Sequence, residues 1–276
     1  MAGSRRFKGA GLELNCLDYG GTGKPPILFL HGGSAHAHWW DFVGPALAGE
    51  FHALALDQRG HGDSAWADEW AYGSRHYVAD LEALIEGWGR GAPIIVGHSM
   101  GGHNALLYAA AHSEQLRAAV AVDSTPDYPQ HAVDFLRAVG ERPARRFDSL
   151  EEACANFRLL PSETKAAPEV LRHVAGFSFR RDGDGKWVHK VDRRTMVREP
   201  LDVWAVLPQI RCPVLIVKVS QSPLLDRDTA RRMAQTLPHG RLVEVGDSYH
   251  HVMLDNPQGF VAALKQYIST LGRGRS

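Results

Sequence analysis

The sequence predicts a doubly wound α/β domain built on a mostly parallel sheet, and three observations predict it. Continuous apolar runs at residues 26–30, 93–96 and 118–122 suit strands buried on both faces, as parallel sheets require. Segments of helical period lie between such runs, so strand and helix alternate along the chain. Lastly, Ile94-Ile95-Val96-Gly97-His98-Ser99-Met100-Gly101-Gly102 passes from an apolar run through a turn into Asn104-Ala105-Leu106-Leu107-Tyr108-Ala109-Ala110, which reads as a helix. That is strand, sharp turn, helix, with a serine at the apex.

In chain order, residues 12–19 alternate well enough for an early strand and close in the turn Gly20-Gly21-Thr22-Gly23. The buried strand 26–30 opens into His31-Gly32-Gly33-Ser34, a helical stretch at 39–47 follows, and a strand at 51–56 ends in Asp57-Gln58-Arg59-Gly60-His61-Gly62-Asp63-Ser64, a polar Gly-rich turn. Residues 72–88 place Tyr77, Leu81, Leu84, Ile85 and Trp88 at helical spacing, and the glycines of 89–91 end that helix. The rhythm breaks after Pro126. Residues 127–208 are charged, aromatic and irregular, with helical patches at 132–139, 150–159 and 169–175 and a turn at Asp182-Gly183-Asp184-Gly185. Phe147, Phe157, Phe177, Trp187 and Trp204 are too many large apolar groups for a solvated linker, so this segment is expected to fold over the C-terminal edge of the sheet. Alternation resumes with a strand at 213–219, a helix at 228–237, a strand at 241–245 and a last helix at 257–271. The expected division is a core of residues 1–126 and 209–276 with an insertion at 127–208.

The whole chain excludes several classes. At 276 residues it can bury a proper core. Lys+Arg and Asp+Glu both total 31, which gives no basic groove for nucleic acid and no pull toward an acidic partner. No run approaches the roughly 18 apolar residues of a membrane span. The first residues, Met-Ala-Gly-Ser-Arg-Arg-Phe-Lys, have no apolar segment behind their charges. Cys16, Cys154 and Cys212 are few, odd in number and far apart, as free thiols in a reducing compartment would be. A cytoplasmic protein is expected.

The chemistry centres on Ser99. Glycines two before and two after it allow a strained turn whose neighbours approach too closely for a β-carbon, and the turn lifts the hydroxyl clear of the backbone. A hydroxyl needs a base, and His250 lies just past the last strand, at the sheet edge where strand C-termini gather. His251 is its nearest competitor. The base needs an orienting carboxylate, either Asp123 at the end of the strand 118–122 or Asp226 after the strand 213–219. Chain order does not choose between them. Asp123 is preferred, because Asp226 or Asp228 sits where the next helix needs an N-cap. The oxyanion is assigned to the backbone amides of Met100 and of Gly33 in His31-Gly32-Gly33, where a bare backbone can approach closely. Trp40, Tyr249, the Met100 side chain and aromatic groups of the insertion such as Trp187 are expected to line an apolar pocket. His31, His36 and His38 give no tetrahedral set with a Cys or acidic partner, and Gly20-Gly21-Thr22-Gly23-Lys24 lacks phosphate-loop spacing, so neither metal nor cofactor is expected.

Together these residues resemble the α/β-hydrolase superfamily, in its cap-bearing branch of esterases, lactonases, cofactor-free haloperoxidases, epoxide hydrolases and haloalkane dehalogenases. The resemblance rests on His31-Gly32-Gly33, Asp57 to Ser64, Gly97-His98-Ser99-Met100-Gly101-Gly102 and His250 to Asp255-Asn256-Pro257. It implies an eight-stranded sheet with residues 127–208 as a mainly helical cap. A serine at position 99 disfavours the dehalogenase and epoxide hydrolase branches, which attack with aspartate. The loop that usually carries the acid has Ser222 there, whereas some members carry it where Asp123 lies, and the glycine usually preceding the histidine is Tyr249. The expected activity is hydrolysis of a small-molecule carboxylic ester or lactone through an acyl-enzyme. Acyl transfer, perhydrolysis or C–C cleavage on the same serine is the enzymatic rival, and a small-molecule binding protein on the same scaffold is the non-enzymatic one.

Overall fold

A computed structural model describes residues 2–68, 71–197 and 201–272. Its main sheet holds eight strands: β1 (Gly3–Lys8), β2 (Glu13–Asp18), β3 (Pro26–Leu30), β4 (His52–Asp57), β5 (Ile94–His98), β6 (Ala118–Val122), β10 (Val214–Val219) and β11 (Gly240–Val245). They lie in the order β1-β2-β4-β3-β5-β6-β10-β11. β2 pairs antiparallel with β1 and β4, and the other neighbours are parallel. The apolar runs read as two-faced strands are two-faced. Ile27, Phe29, Ile94 and Val96 enter one core layer, whereas Leu28, Leu30 and Ile95 enter the other.

Helices cover both faces: α1 (Gly44–Leu47), α2 (Ser74–Trp88), α3 (Met100–Ala111), α7 (Arg227–Thr236), α8 (Val252–Asp255) and α9 (Pro257–Thr270). α2 ends as its glycines predicted, with Gly89 at φ 61° as a left-handed C-cap. The helix expected at 39–47 is instead two short turns, a 3₁₀ turn at Ala37–Trp40 and α1, with Asp41 to Val43 between them. β1 has no counterpart in the sequence reading. It is a half-exposed edge strand carrying Arg5, Arg6 and Lys8, so its apolar signal reduces to Phe7.

Between β6 and β10 the chain forms α4 (Gln130–Glu141), α5 (Leu150–Ala155) and α6 (Pro168–Phe177), close to the three expected patches. It also forms a small antiparallel sheet of β7 (Arg146–Phe147), β8 (Phe179–Arg181) and β9 (Trp187–His189), in the order β7-β9-β8. The mainly helical reading missed this sheet because runs of two and three residues are too short to show a period. Among the described residues, no helix is long and apolar enough to cross a membrane.

The polar stretch after β4 is not a solvated turn. Asp57 accepts from Ala37 N at 2.6 Å, Asn15 Nδ2 at 2.8 Å and Asp63 N at 2.9 Å, and ties β2, the 3₁₀ turn and the loop 58–64 to one carboxylate. Gly62 passes so close that a β-carbon would lie 2.2 Å from Asp57 Cγ. Arg59 is likewise buried and gives Asp80 a forked pair, Nε to Oδ2 at 2.6 Å and Nη2 to Oδ1 at 2.8 Å. Its remaining donors bond the Ala10 and Ala71 carbonyls. Asp80→Asn would strand a buried guanidinium. We expect a loss of about 3–5 kcal/mol, read from the midpoint of urea unfolding.

Candidate active site

The site begins at the C-terminal end of β5. Ser99 sits at φ 50°, ψ −116°, between the last strand residue and the first residue of α3. This turn is possible only because its neighbours lack side chains. A β-carbon on Gly97 would lie 2.1 Å from Gly101 O, and one on Gly101 would lie 2.5 Å from Leu30 O. Ser99 N donates to Val122 O at 2.9 Å, so the parallel register of β5 and β6 places Asp123 beside the serine. His250 arrives in the loop after β11. Its Nδ1 donates to Asp123 Oδ2 at 2.7 Å, and both side chains are buried. Ser99, His250, Asp123 and Gly33 line one cavity of about 450 Å³, whose other walls include Trp39, Phe135, Leu136 and Leu160.

Asp226 stands elsewhere. It caps α7, with Oδ1 accepting from Asp228 N and Thr229 N, both at 2.9 Å, and Oδ2 from Thr229 Oγ1 at 2.6 Å. Met100 opens α3, and its side chain packs with Ala67, Tyr72 and Tyr77 rather than on the cavity. Three expected pocket residues are displaced too. Trp40 is wholly buried against Phe29 and Phe260, and its neighbour Trp39 takes the cavity wall, since adjacent residues of a 3₁₀ turn point about 120° apart. Trp187 lies in β9 beneath the Arg181 guanidinium, off the cavity. Tyr249 contributes its backbone, N donating to Asp255 Oδ2 at 2.8 Å, and does not line the cavity either.

Several supporting contacts went unread in the sequence. His98 Nε2 donates to the His250 carbonyl at 2.9 Å and sets its ring, tilted, 4.4 Å from that of His250, so the strand that leads into Ser99 holds the loop that carries His250. His251 Nε2 donates to Pro161 O at 2.8 Å and ties the same loop to the insertion. Ser124 Oγ donates to Ser99 O at 3.0 Å. The Ser222 hydroxyl faces Asp123 and favours its ionised form, as does the charge of Lys218. The histidine after Gly97 was the one signal that could have pointed to this arrangement.

Burial dominates the electrostatics. It pushes the Asp123 carboxyl up to about 7, against the pull of Ser222 and Lys218. Burial, reinforced by His251, holds His250 well below the usual imidazole value. His98 is held low in the same way. The bonded pair titrates as a unit. An added proton occupies either His250 or Asp123, and in both cases the pair could no longer take a proton from the serine hydroxyl. We expect kcat/KM on a neutral ester to rise with pH along a single acid limb as this pair loses its added proton, then level off, as a pH–rate profile would show.

Two clusters gather donor atoms within 4.8 Å of one another as a metal site would, His98 with His250 and His251, and His38 with Asp41 and His173. In the second, His38 Nδ1 and His173 Nε2 already bond Asp41 Oδ2 at 2.9 and 2.7 Å, joining the 3₁₀ turn to α6. Of the histidines weighed from sequence, His38 thus gains in Asp41 an acidic partner that its spacing did not show, whereas His31 and His36 go elsewhere. His31 Nε2 accepts from Gln58 N at 3.0 Å, and His36 Nε2 lies 2.9 Å from Ser178 Oγ.

The chain belongs to the alpha/beta hydrolase fold family, whose model matches residues 25–257. It is 29% identical to an esterase of Mycobacterium tuberculosis over 93% of this chain and 87% of that protein. It is 27% identical to 2-(acetamidomethylene)succinate hydrolase of Mesorhizobium japonicum over 96% and 95%. A crystal structure of E-2-(acetamidomethylene)succinate hydrolase matches with a TM-score of 0.86 at 26% identity, covering 98% of this chain and all of that one. N-formylmaleamate deformylase of Pseudomonas putida is 25% identical over 94% and 93%. Fold and relatives together define a hydrolase.

Proposed function

We propose that this hydrolase cleaves carboxylic esters or lactones through an acyl-enzyme on Ser99. The reading rests above all on the 2.7 Å bond between His250 and Asp123, made inside the cavity that Ser99 also lines. A carboxylate only accepts, so Nδ1 carries the ring proton and Nε2 keeps a lone pair for the serine hydroxyl. Ser99 Oγ attacks the acyl carbon while His250 takes its proton. The Gly33 and Met100 amides hold the developing oxyanion. Collapse expels the alkoxide, which leaves with the proton from His250, and water repeats the sequence to release the acid. Residues 127–208 act as a cap over this cavity.

A second reading keeps every residue in place and changes the bond to an amide. It is favoured by two full-length relatives, one named for hydrolysis of an acetamidomethylene compound and one for deformylation of a maleamate. Fluorophosphonate labelling followed by peptide mass spectrometry tests the nucleophile, with a single adduct on Ser99 expected. No adduct on folded protein would remove both readings. A burst of p-nitrophenol from p-nitrophenyl butyrate, set against turnover of the matching anilide, chooses between ester and amide.

A further inference from the structure

The cavity at Ser99 is not the largest in the molecule. A groove of about 1180 Å³ opens beside it in the insertion, and the two share Ser34, Leu160 and Met196 as a common wall. Its composition is unlike the rest of the chain. Charges balance over the whole sequence, 31 of each sign, yet seven arginines line this groove against three aspartates, Asp182, Asp184 and Asp192.

The aspartates neutralise little of that charge. Asp182 and Asp184 both bind Arg146, at 2.8 and 2.5 Å, and Asp192 pairs with Arg194, which is not a lining residue. Among the described residues, the other six lining arginines have no carboxylate partner. Arg180 and Arg181 lie over the rings of Trp66 and Trp187, at 4.3 and 5.3 Å. Arg145 lies over Phe147 at 5.1 Å. Arg158 spends donors on the Ala155 and Phe157 carbonyls. Arg193 bonds the Val139 and Gly140 carbonyls, and burial together with the charge of Arg142 lowers its pKa. The excess of positive groups around one groove favours an anion in it over a neutral ligand. One carboxylate would engage one or two guanidinium groups. A groove more than twice the volume of the catalytic cavity, with arginines along it and aromatic rings beneath them, suits an extended phosphate-bearing arm ending in a flat group.

We propose that this groove binds a phosphate-bearing leaving group whose acyl end reaches Ser99, so that the preferred substrate is an acyl ester or thioester carried on a polyanionic arm. The proposal rests on the acyl-enzyme reading above. The acyl chain occupies the apolar cavity of Trp39, Phe135, Leu136 and Leu160. The Ser99 hydroxyl proton passes through His250 to the departing sulfur or oxygen, so the arm leaves as a neutral thiol or alcohol and water then frees the acid.

Two neutral-against-charged comparisons test it. Butyryl coenzyme A carries the arm, and the butyryl thioester of N-acetylcysteamine lacks it. We expect KM for the first to lie at least about tenfold below that for the second, the worth of one charge-assisted contact. Arg180→Gln with Arg181→Gln removes two guanidinium groups without orphaning a carboxylate, and should bring the two KM values within about twofold while leaving the neutral thioester unchanged. Equal KM values in the unmodified protein, or variants that slow both thioesters alike, would overturn the proposal. Calorimetric titration of coenzyme A into Ser99→Ala protein separates this failure from failure of the acyl-enzyme reading, because it needs no turnover. Salt-sensitive binding lost in the double variant supports the groove even if no thioester is cleaved, and no binding at millimolar coenzyme A sinks it even if simple esters are. Inorganic pyrophosphate binding as tightly as coenzyme A would mean that the groove senses charge alone, and would also overturn the arm.

Discussion

Ser99→Ala should lower kcat on p-nitrophenyl butyrate by about 10⁵–10⁶-fold while leaving the unfolding midpoint nearly unchanged. In the proposed mechanism Ser99, His250 and Asp123 act as one device, so removing the attacking atom is expected to cost as much as removing all three. What survives would be the contribution of the amides at Gly33 and Met100 and of the cavity, about 10³–10⁴-fold over water. The substitution removes only the hydroxyl, at a position whose amide already bonds Val122 O, so the turn itself should persist. A variant losing less than about tenfold with fold intact would mean that the bond-breaking step does not use this serine.

The second expectation is a contrast between two aspartates. Asp123→Asn should lower kcat by about 10⁴-fold, because an amide facing His250 Nδ1 can donate as well as accept and so admits the wrong tautomer, with the proton on the nitrogen that should face Ser99. Asp226→Asn should change kcat by less than about twofold. Asparagine caps a helix as well as aspartate does, so stability should also hold, whereas Asp226→Ala should lose about 1 kcal/mol. Parallel kinetics and urea unfolding of the three variants check both halves. A dead Asp226→Asn beside an active Asp123→Asn would reverse the assignment.

The features legible in the sequence are those written by local chemistry. Apolar runs located β3, β5, β6 and β10, and the glycines flanking Ser99 located the turn, because crowding there acts over a few residues. Even the carboxylate bonded to His250 could be read, since Asp226 has a nearby helix start to occupy it and Asp123 has none. Other features depend on how distant segments face one another. Trp39 and Trp40 are the same residue side by side, and only the placement of their 3₁₀ turn against Phe29 and Phe260 decides which is core and which is cavity wall. The strands β7 to β9 carry two or three residues each and exist because they pair across a folded insertion. Ser222 read as a vacancy where an acid might have stood, and its hydroxyl instead faces the acid on the neighbouring strand.

The carboxylate of Asp57 has a consequence for how this enzyme can change. It fastens Asn15, Ala37 and Asp63 at once, and Gly62 cannot gain even a methyl group beside it. β2, the 3₁₀ turn and the loop 58–64 are therefore held as one casting, in which a single replacement at Asp57 disturbs three segments together. The cavity walls contributed by Phe135, Leu136, Leu160 and Leu224 lie outside it, and Phe135 and Leu224 are 53% and 44% exposed. New substrates are thus reached most cheaply by varying those four positions. A selection library that randomised residues 57–64 instead would return mostly unfolded protein, and one confined to the four wall positions would return folded enzymes with altered acyl preference.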